Sequence, residues 1–176
     1  MSSSNNLYCG LVYRSVKFSK KCANEPEAEN LYQAFKEHWL MGYSPFIGKD
    51  ALFARPDEAL NLHVRHGHAD SKMYEPENSK EKHTAKESCW KKWQSGYGYK
   101  IPTSNSWLIY AVNENRDAMV MDYIHNAHDV TKSMQYMDQY IEITYRFLEF
   151  TKCNQMSYIE HPFDDKYLIE NQKSSD

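Results

Sequence analysis

The octet "HVRHGHAD", residues 63–70, puts three histidines, an arginine and an aspartate into eight positions. Three readings are open for it. Two imidazoles and a carboxylate in the string His66-x-His68-x-Asp70 are donors that suit Zn²⁺ or Fe²⁺. The same imidazoles exchange protons near neutrality. They therefore suit acid–base cleavage of an RNA phosphodiester, in which a base takes the 2′-OH proton, cations meet the phosphate and an acid serves the leaving 5′-oxygen. The third reading is a strand end with solvated histidines and no special role. Side chains two apart on a strand share a face, so His66 and His68 point together while His63 and Arg65 point the other way. Against the metal, Asp70 is followed by Ser71, whereas histidine pairs in metallohydrolases usually continue into an adjacent Asp-His. An iron triad of His68, Asp70 and His125 or His128 needs a larger sheet than this chain offers.

Three other stretches carry chemistry-bearing types. "GKD", 48–50, sets Lys49 and Asp50 beside a flexible glycine, and reads equally as a solvated turn. "YIHNAHD", 123–129, leads two histidines into a helix, with His128 either at a site or simply at a helix entry. "KESCWKKWQSGYGYK" interleaves Lys91 and Lys92 with Trp90, Trp93, Tyr97 and Tyr99. Cations with rings suit single-stranded RNA, and an amphipathic helix tucking its tryptophans into the core explains the same residues.

The elements that must position these groups follow from period and punctuation. "LYCGLVYRSVKF", 7–18, reads as a first strand. Asn24, Pro26 and the acids after it start a helix with the stripe Ala28, Leu31, Phe35 and His38/Trp39, closed by Gly42. "YSPFIGKDALFARPDE" reads as a loop, and "ALNLHVRHG", 59–67, as a second strand. Residues 70–105 show no clean period beyond a helical hint at "ESCWKKW". "SWLIYAV-NENRD-AMVMDYI" is a hairpin buried on both faces. A last helix, capped by Asp129, carries Val130, Met134, Met137, Ile141, Thr144/Tyr145 and Leu148. The expected fold is α+β, a small antiparallel sheet with helices on one face. One domain spans 1–153, with a long insertion at about 70–102 and a polar tail over 154–176, read as disordered or regulatory.

A chain of 176 residues, 41% hydrophobic with 14 tyrosines, has enough sequence for a real core. Cys9, Cys22, Cys89 and Cys153 form no CxxC pair, which predicts reduced thiols. With no signal-like start and no span-length apolar run, a cytoplasmic protein without a membrane partner is expected. The net charge of −3 weighs against nucleic acid, but the charge is uneven: Lys80, Lys82, Lys86, Lys91, Lys92 and Lys100 face only Glu81 and Glu87 between 80 and 100.

Placed in order, "ENLYQAFKEHWLMGYSPFIGKDALFARP", "LHVRHGHAD", "TSNSWLIYAV" and "AHDVTKSMQYMDQYIEITYRF" resemble the YafO family of type II toxin–antitoxin toxins. The colinear order carries the likeness, over roughly residues 7–69 and 103–150. The resemblance implies a compact α+β toxin, RelE-like in outline, that cuts translated mRNA on the ribosome through the 2′-OH. It implies no metal or cofactor, and a cognate antitoxin that holds the toxin inactive. On that reading His66 and His68 are base and acid in unassigned order, Asp50 orients a histidine and His128 supports the site. Lys49 and Arg65 contact phosphate, Arg65 from the opposite face, while Lys91, Lys92 and Trp93 hold RNA. The departures are the acidic total, the long lysine-rich 70–102 segment and the tail. A metal-dependent enzyme using His66, His68 and Asp70, and a non-catalytic binding module, stand as alternatives.

Overall fold

The computed structural model describes residues 10–80 and 83–169; Cys9, Glu81, Lys82 and residues 170–176 lie outside these. Strand β1, Val12–Arg14, is short because Ser15 turns into a helix cap. Its hydroxyl accepts the Phe18 N–H at 3.1 Å and opens helix α1, Val16–Asn24. The strand expected over 7–18 is thus cut at Ser15, and its first residues fall outside the described ones. Helix α2, Pro26–Met41, follows the sequence signals except at its cap, since Asn24 ends α1 and Glu25 stands at the N-cap without a side-chain hydrogen bond. Proline and acids sit in its first turn, Gly42 closes it at φ 71°, and Ala28, Leu31, Phe35, His38 and Trp39 are buried.

The stretch read as a loop holds strand β2, Ile47–Leu52, and runs into a helical turn α3, Asp57–Asn61. Strand β3 is therefore Val64–Ala69 and not 59–67, since Ala59 and Leu60 are helical. The helical hint at "ESCWKKW" is α4, Glu87–Gln94, and the hairpin is β4, Ser106–Val112, with β5, Ala118–His125. The final helix comes in two pieces, α5, Ala127–Val130, and α6, Met134–Thr151.

The sheet order is β1-β5-β4-β3-β2, with β1 parallel to β5 and every other pair antiparallel. Alternation along β4 builds two cores. Leu108, Tyr110 and Val112 meet Phe18, Phe35 and Trp39 on the first face; Trp107, Ile109 and Ala111 meet Val64, Met137, Tyr140 and Phe147 on the second. The α+β class holds, but helices cover both faces and the sheet is mixed. A hairpin apolar on both sides leaves no face that water could cover cheaply.

Residues 154–169, expected as an appended tail, belong to the first core. Met156 is buried and its N–H donates to the Val112 carbonyl at 3.0 Å. Phe163 packs on His38 and Trp39. The buried Arg116 guanidinium lies 4.4 Å over the Trp39 ring and donates to the Pro162 and Trp39 carbonyls. A few apolar residues do this packing while most of the segment's polar side chains stay exposed.

The outer strand β2 is covered by the segment around α4 and the 101–105 loop. The Lys49 N–H donates to the Pro102 carbonyl at 2.9 Å. Buried Trp90 donates from Nε1 to the Thr103 carbonyl at 3.0 Å, and Trp93 from Nε1 to the Ser44 and Ile47 carbonyls. The sheet edge is thereby shielded from another strand. Among the described residues no helix is long and apolar enough to cross a membrane.

Gly48 makes this seal possible, because a Cβ there would lie 2.2 Å from the Pro102 oxygen and 3.1 Å from the Trp90 ring. Gly48→Ala is expected to push the loop off the strand and cost about 1–3 kcal/mol, the usual range for overpacking. Urea unfolding checks this, and an unchanged midpoint would mean that the loop is not anchored here.

Candidate active site

Strand β3 points His66 and His68 to the second face, as their spacing requires, and Lys49 of β2 and His128 of α5 join them there. The residue that gathers the histidines is Trp107, directly opposite His68 in the sheet register. His66 stacks on the indole at 4.0 Å between centroids and 24° between planes. His68 and His128 meet it edge-on at 5.4 and 4.7 Å. The apolar run "SWLIYAV" gave Trp107 only as core, and nothing local marks it otherwise.

A cleft of about 240 Å³ opens in front of this cluster, lined by Lys49, His68, Glu75, Thr103, Ser104, Asn105 and His128. Four of these, Glu75, Thr103, Ser104 and Asn105, come from the 70–105 stretch, where no period signalled them. Asn105 positions α5: its Oδ1 accepts the His128 N–H at 2.9 Å and its carbonyl accepts the Ala127 N–H at 3.0 Å.

Ser104 sets the state of His68. The Ser104 N–H donates to His68 Nδ1 at 2.9 Å, and Trp107 Nε1–H approaches the same nitrogen at 3.1 Å. Two donors converging on Nδ1 need a lone pair there, so the neutral ring carries its proton on Nε2. The Ser104 carbonyl, 2.7 Å from Nδ1, accepts the Trp107 N–H at 3.0 Å and is the partner that a doubly protonated ring would use. His66 lies beneath, packed between Trp107 and Phe53, with Nδ1 buried and unpartnered. Burial first, then the neighbouring charges of His68, Arg65, His128 and Lys49, lowers its pKa to about 3.

Asp50 does not orient a histidine of this cluster. Adjacent to Lys49 on the strand, it turns to the first face, where its Oδ1 accepts from Arg65 at 2.6 and 2.7 Å and its Oδ2 from the Tyr110 hydroxyl at 2.5 Å. Burial pushes the Asp50 carboxyl up, and the guanidinium and the hydroxyl pull against that rise. Arg65 is 2% exposed; its Nη1 also contacts His63, and its Nη2, shared with Asp50, contacts His161. It is therefore a structural cation and out of reach of phosphate from solvent. Trp93 is likewise taken up as an anchor of α4, while Lys91, paired with Glu87 at 2.9 Å, and Lys92 are exposed.

Asp70 also leaves the second face. Its carboxylate accepts from Tyr74, Gln94 and Lys72, in a separate cavity that α2 lines. Neither metal set built on it assembles, and among the described residues no three His, Cys, Asp or Glu groups are placed to hold a metal ion.

Two measurements follow. Long-range ¹⁵N correlation at pH 7 should show His68 as the Nε2–H tautomer; an Nδ1–H ring would refute the Ser104 contact as described. Stability should also fall with acid. His38, whose two ring nitrogens find no partner, and His66 have pKa values near 3, and His63 near 4, all lowered chiefly by burial. The unfolded chain, with histidines near 6.5, takes up these protons first. The contribution is therefore complete above about pH 6.5 and is lost as pH falls toward 4 and 3, at about 2 kcal/mol per histidine by pH 5. His38→Phe should flatten the melting-temperature profile between pH 7 and 5, and an unaltered slope would count against this.

Comparison with known families agrees with the order of these elements. The model of the family described as toxin YafO, type II toxin–antitoxin system, matches residues 30–149, well over half of the chain, from within α2 to near the end of α6. No curated protein and no solved structure matched. The match takes in every residue that lines the cleft, and the chain belongs to the YafO family of type II toxin–antitoxin toxins.

Proposed function

We propose that this toxin is an endoribonuclease that cuts translated mRNA on the ribosome, in the cytoplasm, by acid–base attack of the 2′-OH without a metal. The observation that supports it best is the meeting of His68, His128 and Lys49 in one cleft, with His68 held at Nδ1 by Ser104. In this scheme His128 takes the 2′-OH proton, and the 2′-oxygen attacks phosphorus as the bond to the 5′-oxygen breaks. Lys49 balances charge on the phosphate. The His68 Nε2–H donates to a phosphate oxygen. Once the anionic substrate has favoured a second proton on the ring, Nε2–H passes its proton to the leaving 5′-oxygen while Nδ1–H turns to the Ser104 carbonyl. The products are a 2′,3′-cyclic phosphate and a 5′-hydroxyl.

This scheme moves His66 from the chemistry to its support. It does not line the cleft, and a pKa near 3 makes it a poor base at neutral pH. Family membership implies a cognate antitoxin as partner.

Inducible expression in bacteria, with primer extension on one mRNA with and without its start codon, tests the reading. New 5′ ends on the translated message alone are expected. Ends on neither message, with normal growth, would remove the nuclease and leave a non-catalytic binding module. His68→Ala and His128→Ala should each lower cleavage at least about a hundredfold, the low end for a lost acid or base. His66→Phe, which keeps a ring on Trp107, should retain most activity; its inactivity in a folded protein would return His66 to the reaction.

A further inference from the structure

A second cavity of about 240 Å³ lies beyond α4, lined by Ser88, Cys89, Lys92, Gly98, Tyr99 and Lys100. Among the described residues no carboxylate lines it. Glu77, close enough to act on the Cys89 thiol, is occupied by the Ser88 N–H and hydroxyl at 2.9 Å each, and Glu87 pairs with Lys91. The ammonium groups of Lys92 and Lys100 have no ion-pair partner among the described residues, and both side chains are exposed. The cavity thus presents two exposed ammonium groups, with the Glu77 carboxylate on its Ser88 side.

Its aromatic wall is built and not merely loose. "SGYGYK", 95–100, follows α4, and Gly96 takes φ 77° with its N–H on the Trp93 carbonyl. The Tyr97 N–H then donates to the Lys92 carbonyl at 3.2 Å. Gly98 folds back so tightly that a Cβ would stand 3.0 Å from the Trp93 backbone. This turn holds two rings out in water, Tyr97 at 81% and Tyr99 at 104% exposure. Large rings kept fully wet by a tight, glycine-dependent turn gain nothing for folding, because they bury no area.

We propose that this cavity is a nucleotide subsite for single-stranded RNA, in which Tyr99 stacks on a base and Lys92 and Lys100 hold the adjoining phosphates. The proposal rests on the ribonuclease reading for the identity of the strand. The placement suits it: Lys100 lines this cavity and Thr103 lines the histidine cleft, three residues on, so their backbones are at most about 11 Å apart. One extended strand can cross the 101–102 link with its scissile phosphate at Lys49 and a neighbouring base on Tyr99. Stacking accepts any base, so the subsite holds the strand without reading it.

The test uses the full chain carrying His68→Asn, to prevent turnover, and the fluorescence anisotropy of a labelled single-stranded RNA decamer. Tyr99→Ala should weaken binding about tenfold and Tyr99→Phe should leave it nearly unchanged. Lys92→Ala with Lys100→Ala should weaken it and reduce the slope of log affinity against log salt by about 1.4, two phosphate contacts on a single strand. Unchanged affinity in Tyr99→Ala, an unchanged slope in the lysine pair, or no decamer binding by the parent overturns the subsite. The two readings fail separately. If the variants alter binding but translated mRNA is never cut, the subsite stands without the nuclease. If the message is cut and the variants change neither binding nor cleavage, only the subsite is lost.

Discussion

The indole of Trp107 is the contact on which the candidate site depends. It is a floor for His66, an edge for His68 and His128, and a hydrogen-bond donor to the loop that fixes His68. A buried indole must place its N–H, and here the Ser104 carbonyl and His68 Nδ1 receive it. That requirement couples strand and loop: if the 101–105 segment left the sheet edge, Trp107 N–H would keep only His68 Nδ1, and that nitrogen would lose the Ser104 N–H. The seal at Gly48 and Pro102 and the anchor at Trp90 act on the same segment from its other side. Three otherwise mobile parts, a loop, a short helix and a strand end, are thereby held to one ring system.

Strand alternation divides the polar residues between two tasks. On the first face Asp50, Arg65, Tyr110, His63 and His161 form a closed network, and a buried charge pair of this kind tolerates no unpaired member. On the second face Lys49, His68 and His128 look into a cleft. The division turns on single steps of the chain, Lys49 against Asp50 and Arg65 against His66. A register slip of one residue in β2 or β3 would exchange the two sets and destroy both.

The parts of the fold legible in sequence were those with strong local period: α2, the β4–β5 hairpin and, in the last helix, Met137, Ile141 and Thr144, though Met134 is exposed and the buried Tyr140 and Phe147 were missed. Strand β2 was not legible, because "FIGKDAL" sits among proline and glycine and becomes a strand only through its pairing with β3. The shared face of His66 and His68 followed from their spacing. The engagement of Asp50 by Arg65 did not, since their opposition is a matter of register between distant residues. Trp107, Ser104 and Asn105 were invisible for a related reason. An indole in an apolar run looks like any core residue, and a serine or asparagine in "TSNS" carries no period. The tail misled because its composition is polar, while Met156, Pro162 and Phe163 do the packing.

The net charge of −3 looks unfavourable for a protein that would grip RNA, yet total charge is a poor guide at contact distance. At physiological salt the field of an exposed charge fades over about 8 Å, so a phosphate in the cleft feels the groups that line it, Lys49 and Glu75 among them, far more than the acids across the molecule. Several of those acids are placed apart: Glu27, Glu37 and Asp70 line the cavity along α2, on the other face of the sheet. Lys49, Lys92 and Lys100 all lie on β2 or on the segment that covers it, along one edge. A net acidic body also lacks the long-range attraction that draws basic proteins to any polyanion. On the proposed reading such a chain would depend on local complementarity to hold RNA, and the cleft with its sealed edge would supply it.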